Sequence, residues 1–173
     1  MTRVLIRPAE PADHQAIAEL TVAAYAADGQ LDGEHGYERT LADVPARAAE
    51  GTVLVAVDEA TGGVLGSVTV VAPGSPYAEL SRPGESEFRM LAVHPAAQGR
   101  GVGRALVLAC LDRAAEAGCS AVLICVRSFS VPAQRLYASM GFVRVPDLDW
   151  SPTAGVELLA LRRDVAVVAS TDR

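Results

Sequence analysis

Cysteine is scarce in this sequence: Cys110, Cys119 and Cys125 are the whole supply in 173 residues. The number is odd, no C-x-x-C pair occurs, and the neighbours are apolar. That argues against a disulfide framework or a thiolate metal site and for buried, reduced thiols. A reducing compartment fits. No apolar run approaches the roughly 20 residues of a membrane span. The opening Met1-Thr2-Arg3-Val4-Leu5-Ile6-Arg7-Pro8 has no apolar leader core and no cleavage signal. A cytoplasmic protein without a membrane partner is expected. Basic charge is also short, with 15 Lys+Arg against 21 Asp+Glu and a formal net charge of −6. A nucleic-acid binder needs a basic stripe to displace counterions, so nucleic acid is excluded as a partner.

What is present is an ordinary globular composition. Half of the chain is hydrophobic, enough for a core without covalent staples at this length. The length is that of one domain, with no internal repeat and no linker. A single domain over 1–163 is expected, followed by a tail, 164–173, that carries no turn or site signal and is prone to fray. Residues 4–6 read as a strand stopped by Pro8. A helix starts at 11–13 and ends before Asp28-Gly29. Residues 30–36 form a polar loop, and 37–50 a second helix with Pro45 disturbing its middle. The β-branched runs 52–57 and 64–71 form a hairpin across 58–63, where Gly62-Gly63 can take positive φ. A Pro/Gly/Ser loop over 73–84 leads to a fourth strand, 87–93. The longest helix covers 101–118, an apolar strand 121–126, and a short helix 131–140, closed by Gly141. The last strands are 142–145 and 156–161. The order β-α-α-β-β-β-α-β-α-β-β gives an α/β domain: a mixed sheet with helices on both faces.

The stretch 87–106 carries the chemistry. In Gln98-Gly99-Arg100-Gly101-Val102-Gly103-Arg104, three alternating glycines stand at a helix entrance. Without Cβ atoms, backbone N–H groups can converge there. The helix N-terminus adds unpaired donors and partial positive charge. Together they suit a pyrophosphate; a tight glycine turn with no ligand is the alternative. A P-loop is excluded because Gly103 is followed by Arg104 rather than by Lys-Ser/Thr. A dinucleotide fingerprint is excluded because its third small residue falls on Arg104 or Leu106.

Gln98-x-x-Gly101-x-Gly103 resembles the Gln/Arg-x-x-Gly-x-Gly/Ala motif of the GCN5-related N-acetyltransferases, the GNAT superfamily. Met90-Leu91-Ala92-Val93-His94-Pro95 is similar to that family's fourth strand. Ala133-Gln134-Arg135-Leu136-Tyr137-Ala138-Ser139-Met140-Gly141-Phe142 resembles its Ala-x-x-Leu-Tyr-x-x-x-Gly-Phe block. The two motifs stand in register with one strand between them, and the resemblance covers roughly residues 3–162. It implies a mostly antiparallel sheet of six to seven strands with a V-shaped splay between strands 4 and 5.

The resemblance also implies roles. Backbone N–H groups of Gln98, Gly99, Arg100, Gly101, Val102, Gly103 and Arg104 hold the pyrophosphate of coenzyme A. A bulge near Leu91 opens the strand, and Leu91, Ala92 and Val93 pair with the pantetheine arm as an added strand would. The Val93 N–H points at the thioester oxygen. Ser130, where the family often has Asn, and Ala133 are further cofactor contacts. Tyr137 is the candidate acid for the departing sulfur, or else a core tyrosine that only hydrogen-bonds the cofactor. Glu87 is the candidate base, or else a solvated glutamate beside Glu85. His94 is expected to be non-catalytic. Glu34, His35, Tyr37 and Trp150, with Asp32, Asp147 and Asp149, are offered for the acceptor, where acidic groups attract a cation; a solvated acidic loop is the alternative. Acetyl-CoA is the expected co-substrate and no metal is expected. A small primary amine is favoured as acceptor, with a protein N-terminus or lysine second. A non-catalytic acyl-CoA-binding sensor is the competing function. The family often forms dimers, for which the last strands would supply the contact.

Overall fold

The computed structural model describes residues 3–33 and 36–166. Among the described residues seven strands form one sheet: β1 (Val4–Pro8), β2 (Thr52–Asp58), β3 (Val64–Val71), β4 (Glu85–Val93), β5 (Ala121–Arg127), β6 (Val143–Arg144) and β7 (Leu158–Asp164). Their order is β1-β2-β3-β4-β5-β7-β6. β4 and β5 run parallel, and the other pairs are antiparallel. Among the described residues the five α-helices are α1 (His14–Ala27), α2 (Tyr37–Ala42), α3 (Val44–Glu50), α4 (Val102–Glu116) and α5 (Val131–Ser139). The expected mixed, mostly antiparallel sheet with helices on both faces is therefore present.

Strand periodicity divides the core. Successive side chains of β2 point to opposite faces. Val53, Val55 and Val57 join Ile17 of α1 and Val44 of α3 on one side. Leu54 and Ala56 join Leu106, Val107 and Cys110 of α4, with Tyr137 and Met140 from the α5 region, on the other. All of these are buried. Among the described residues no helix is long and apolar enough to cross a membrane.

The single helix expected over 37–50 is two helices, α2 and α3, broken at Asp43. The Asp43 carboxylate accepts the Ala46 N–H at 3.1 Å and caps α3. Pro45 sits in the first turn of α3, where its missing N–H costs nothing, so it begins a helix rather than disturbing one. Behind that break Arg47 is buried, 1% exposed. Its Nε donates to Thr69 Oγ1 at 3.2 Å, and its Nη1 donates to the Leu41 carbonyl. The guanidinium thereby closes the C-terminal end of α2. At the other end of the chain β7 runs through Asp164, and the Val165 N–H donates to the Ser120 carbonyl at 2.9 Å. Ordered pairing thus passes the boundary expected at 163; the rest of the expected tail from residue 167 on lies outside the described residues.

Two features of β4 position the site. Parallel pairing with β5 covers only Glu85↔Ala121, Ser86↔Val122 and Glu87↔Leu123. Beyond that, β4 stays with β3 and β5 stays with β7, so the sheet opens into a V. The register against β3 also skips: Thr69 faces Arg89 and Ser67 faces Ala92, leaving Val68 opposite both Met90 and Leu91. This is a bulge, and it re-aims the strand. Met90 has φ 56°, the only non-glycine residue with positive φ among those described. Such backbone costs on the order of 1–3 kcal/mol and is characteristic of functional positions.

α4 sits close on this sheet because Gly66 has no side chain. A Cβ there would lie 2.8 Å from the Ala92 carbonyl oxygen, 3.0 Å from Val102 Cγ1 and 3.1 Å from Leu106 Cδ1. The first of these is backbone that cannot turn away. Gly66→Ala is expected to lower stability by roughly 1–3 kcal/mol through overpacking, read as an earlier midpoint in urea unfolding.

Candidate active site

The V between β4 and β5 opens into a cavity of about 840 Å³. Its wall takes residues 88–91 of β4, 125–127 of β5, Tyr25 of α1, Tyr37 of α2, Ala133 and Tyr137 of α5, and the loop 152–156. Leu91, beside the bulge, is on this wall, while Ala92 faces the core, 3% exposed.

The glycine cradle stands at the wide end of β4. Gly99 and Gly101 have φ of 77° and 78°, and a Cβ at either would meet nothing within 4 Å. Their requirement is thus for a backbone conformation rather than for space. Gly101 caps α4 with no side-chain hydrogen bond, so no side chain takes the first N–H groups of a 15-residue helix. Gly103 serves contact instead: its Cβ would lie 3.4 Å from Leu136 Cδ2 of α5. Two neighbours brace the loop. His94 Nδ1 accepts the Ala96 N–H at 3.1 Å and caps the turn Pro95–Ala97. Arg100 pairs with Asp58 at 3.7 Å, and Asp58 also accepts the Ala60 and Thr61 N–H groups of the β2–β3 turn. The Val102 side chain is buried in the core, so only its backbone is available to a ligand. A left-handed cradle at a helix N-terminus with no side-chain cap fits a pyrophosphate, and the bulged wall fits an extended arm.

Gly101→Val puts a β-branched residue into the left-handed region, at roughly 1–2 kcal/mol of strain. Coenzyme A affinity is expected to fall about tenfold, the equivalent of 1.4 kcal/mol, measured by calorimetric titration.

Tyr137 is buried, 6% exposed, and lies on the cavity wall. Its ring packs against Phe88 and Phe142, with centroids 6.0 and 5.7 Å away. Burial pushes its phenol well above the usual tyrosine range, so it stays protonated throughout the neutral range.

Glu87 departs from the expectation of a carboxylate free to take a proton. It is wholly buried, 0% exposed, and is not part of the cavity wall. Its oxygens are occupied: Oε1 accepts the Glu79 N–H at 3.0 Å. Oε2 accepts the N–H groups of Glu79, Leu80 and Ser81 at 3.0–3.1 Å. This holds the loop before β4 against the sheet. Glu79, unlike Glu87, is on the cavity wall, as is Asp32. Glu79 Oε1 lies 2.5 Å from Arg89 Nε, and burial raises its pKa above the usual carboxylate value despite that partner. Arg89 also donates to the Tyr77 carbonyl at 3.1 Å and to the Tyr37 hydroxyl at 3.4 Å.

Of the other expected residues, Tyr37 is on the wall, its ring 6.2 Å from Tyr25, and Asp32 is nearby on the same wall. Glu34 and His35 lie outside the described residues. Trp150 is 37% exposed and off the wall. Its indole N–H donates to Cys125 Sγ at 3.4 Å. Cys125 is on the wall, its thiol pushed up to about 12 by burial. Ala133 and Ser130 line the cavity. The Ser130 hydroxyl, however, donates to Asp28 at 2.7 Å and is 2% exposed, so its donor is spent on tying α5 to the end of α1 rather than held out to a ligand. Sequence reasoning missed Glu79, Arg89 and Tyr25. An arginine between the apolar Phe88 and Met90 of β4 was the available signal, since a buried guanidinium requires an acid nearby.

The model of the acetyltransferase (GNAT) family matches residues 15–142. The chain belongs to that family. Among solved structures, a GCN5-related N-acetyltransferase from Kribbella flavida is 30% identical, with a TM-score of 0.67 over 94% of this chain and 98% of that one. A Salmonella typhimurium protein solved with its cofactor acetyl-CoA is 25% identical, with a TM-score of 0.64 over 98% of both chains. Among curated proteins, a mycothiol acetyltransferase from a Nocardioides species is 35% identical over 147 residues, which is 80% of this chain and 49% of that protein. The chain thus matches about half the length of this relative.

Proposed function

We propose that the chain transfers an acetyl group from acetyl-CoA to a primary amine by direct attack in a ternary complex. The observation that carries this is a shared geometry. Met90 and Leu91 at the bulge and Tyr137 line one splay of the sheet, and the left-handed cradle follows the end of β4 and opens α4. When bound, acetyl-CoA supplies the activated acyl group. The N–H groups of 98–104 hold its pyrophosphate, and Leu91 and Val93 offer backbone groups along the arm. The Val93 N–H stabilises negative charge on the carbonyl oxygen. Tyr137 donates to the departing sulfur. A small-molecule acceptor stands first because the cavity is walled on several sides, and a curated relative is named a mycothiol acetyltransferase.

The test is to incubate the protein with acetyl-CoA and a panel of amines: small primary amines, a peptide with a free N-terminus and a lysine peptide. Free thiol is followed. Thiol release that depends on one amine class supports the reading. Tight coenzyme binding with no release on any amine supports a sensor module instead.

A further inference from the structure

The cavity holds a carboxylate that neither the glycine cradle nor the Tyr137 block accounts for. Glu79 lies on the wall that Tyr137 also lines. Its side chain is 11% exposed and lies 2.5 Å from Arg89. Glu79 is tied down twice: by its side chain to Arg89, and by its own N–H to both oxygens of Glu87. The buried Glu87 carboxylate therefore fixes where the Glu79 carboxylate stands. A base must be within reach of the proton that it takes; Glu87 is sealed from the cavity, and Glu79 is not.

We propose that Glu79 is the proton acceptor for the amine and that Glu87 is the positioning residue that sets it in place, an inference that rests on the acetyl-transfer reading above. The neutral amine nitrogen bonds to the thioester carbon, and the carbon–sulfur bond breaks. The proton shed by nitrogen goes to Glu79, and the sulfur takes the Tyr137 proton. Water returns the Glu79 proton to the tyrosinate, so both groups are restored and no net proton is left over. The charged and titratable groups around Glu79 are Arg89 and Glu87 of β4, Tyr25 of α1, Tyr37 of α2 and Cys125 of β5. Burial raises Glu79 first, Arg89 opposes this, and Glu87 adds to it. Glu79 works only when ionised, so the rate falls as pH drops through its titration, on a limb displaced upward from the ordinary carboxylate range.

The experiment compares wild type, Glu79→Gln and Glu87→Gln, using the amine from the panel with the highest turnover. Each is assayed at saturating acetyl-CoA from pH 5 to 9. Coenzyme A titration of each variant reports an intact fold. The expected result is a loss of about 10²-fold or more in kcat/KM for Glu79→Gln, with the acid limb gone and coenzyme affinity kept. Glu87→Gln is expected to keep the limb with its midpoint moved, because the base is still there but misplaced. Glu79→Gln that retains both rate and limb, or Glu87→Gln that alone abolishes the limb, overturns the assignment. If Glu79→Gln fails to bind coenzyme A, Glu79→Asp decides: a kept limb with lower kcat supports the proposal, and an unchanged kcat overturns it. Wild type with no amine-dependent turnover overturns the acetyl-transfer reading and this inference together. That outcome is distinct from an active wild type with an unaffected variant.

Discussion

Tyr137→Phe is expected to lower kcat by about 10²–10⁴-fold, the usual span for a lost general acid. The reasons lie in where the phenol sits. It is buried on the wall of the cavity, wedged by Phe88 and Phe142, so the ring cannot swing away to be replaced by another donor. Burial raises the phenol, which disfavours a free tyrosinate and keeps the proton in place until the sulfur leaves. Phenylalanine preserves the ring packing and removes only the hydroxyl. Coenzyme affinity and the unfolding midpoint are therefore expected to stay near wild type while kcat falls. Pre-steady-state thiol release separates the two contributions. If coenzyme affinity falls along with kcat, the hydroxyl also holds the ground state.

Glu87→Ala is the second large effect, and it concerns stability. Three N–H groups, of Glu79, Leu80 and Ser81, share this one buried carboxylate. An unsatisfied buried donor costs about 1–3 kcal/mol, and bonds to charged groups are the stronger kind. Some of the loop can reach water once released, so a loss on the order of 3 kcal/mol is expected in urea unfolding. Glu87→Gln keeps one acceptor oxygen and is expected to lose less. A Glu87→Ala protein as stable as wild type would show that the loop is held by other contacts.

The parts of the site that were legible in the sequence are contiguous in it. Gln98 to Arg104 is a local device: alternating glycines before a helix have few other uses, and their backbone angles follow from the residue type. Tyr137 was legible through its place in the Ala133 to Phe142 block. The bulge near Leu91 was expected from the family resemblance, and it falls at Met90–Leu91.

What was not legible depends on distant segments. Glu87 reads as a strand-entrance acid until the loop 79–81 folds over it. Ser130 reads as a hydroxyl free for the cofactor until Asp28, 102 positions away, arrives beside it. The Glu79–Arg89 pair joins a loop to a strand, and no spacing rule links the two. The break at Asp43 was hidden because Pro45 is compatible with a helix start as well as with a helix flaw. Trp150 was expected on a partly exposed binding or packing surface; it is 37% exposed, and its N–H meets Cys125, 25 positions away.

Acetyl transfer itself is tested most directly by product mass spectrometry with acetyl-CoA carrying a deuterated acetyl group. The chain contains no lysine, so acetylation of its own lysine side chains cannot imitate the reaction. The expected result is that the deuterated acetyl group appears on an amine of the panel in step with free coenzyme A, and that Tyr137→Phe suppresses both together. Coenzyme A released without any acetylated amine, or bound acetyl-CoA left intact in the presence of every amine, would contradict it.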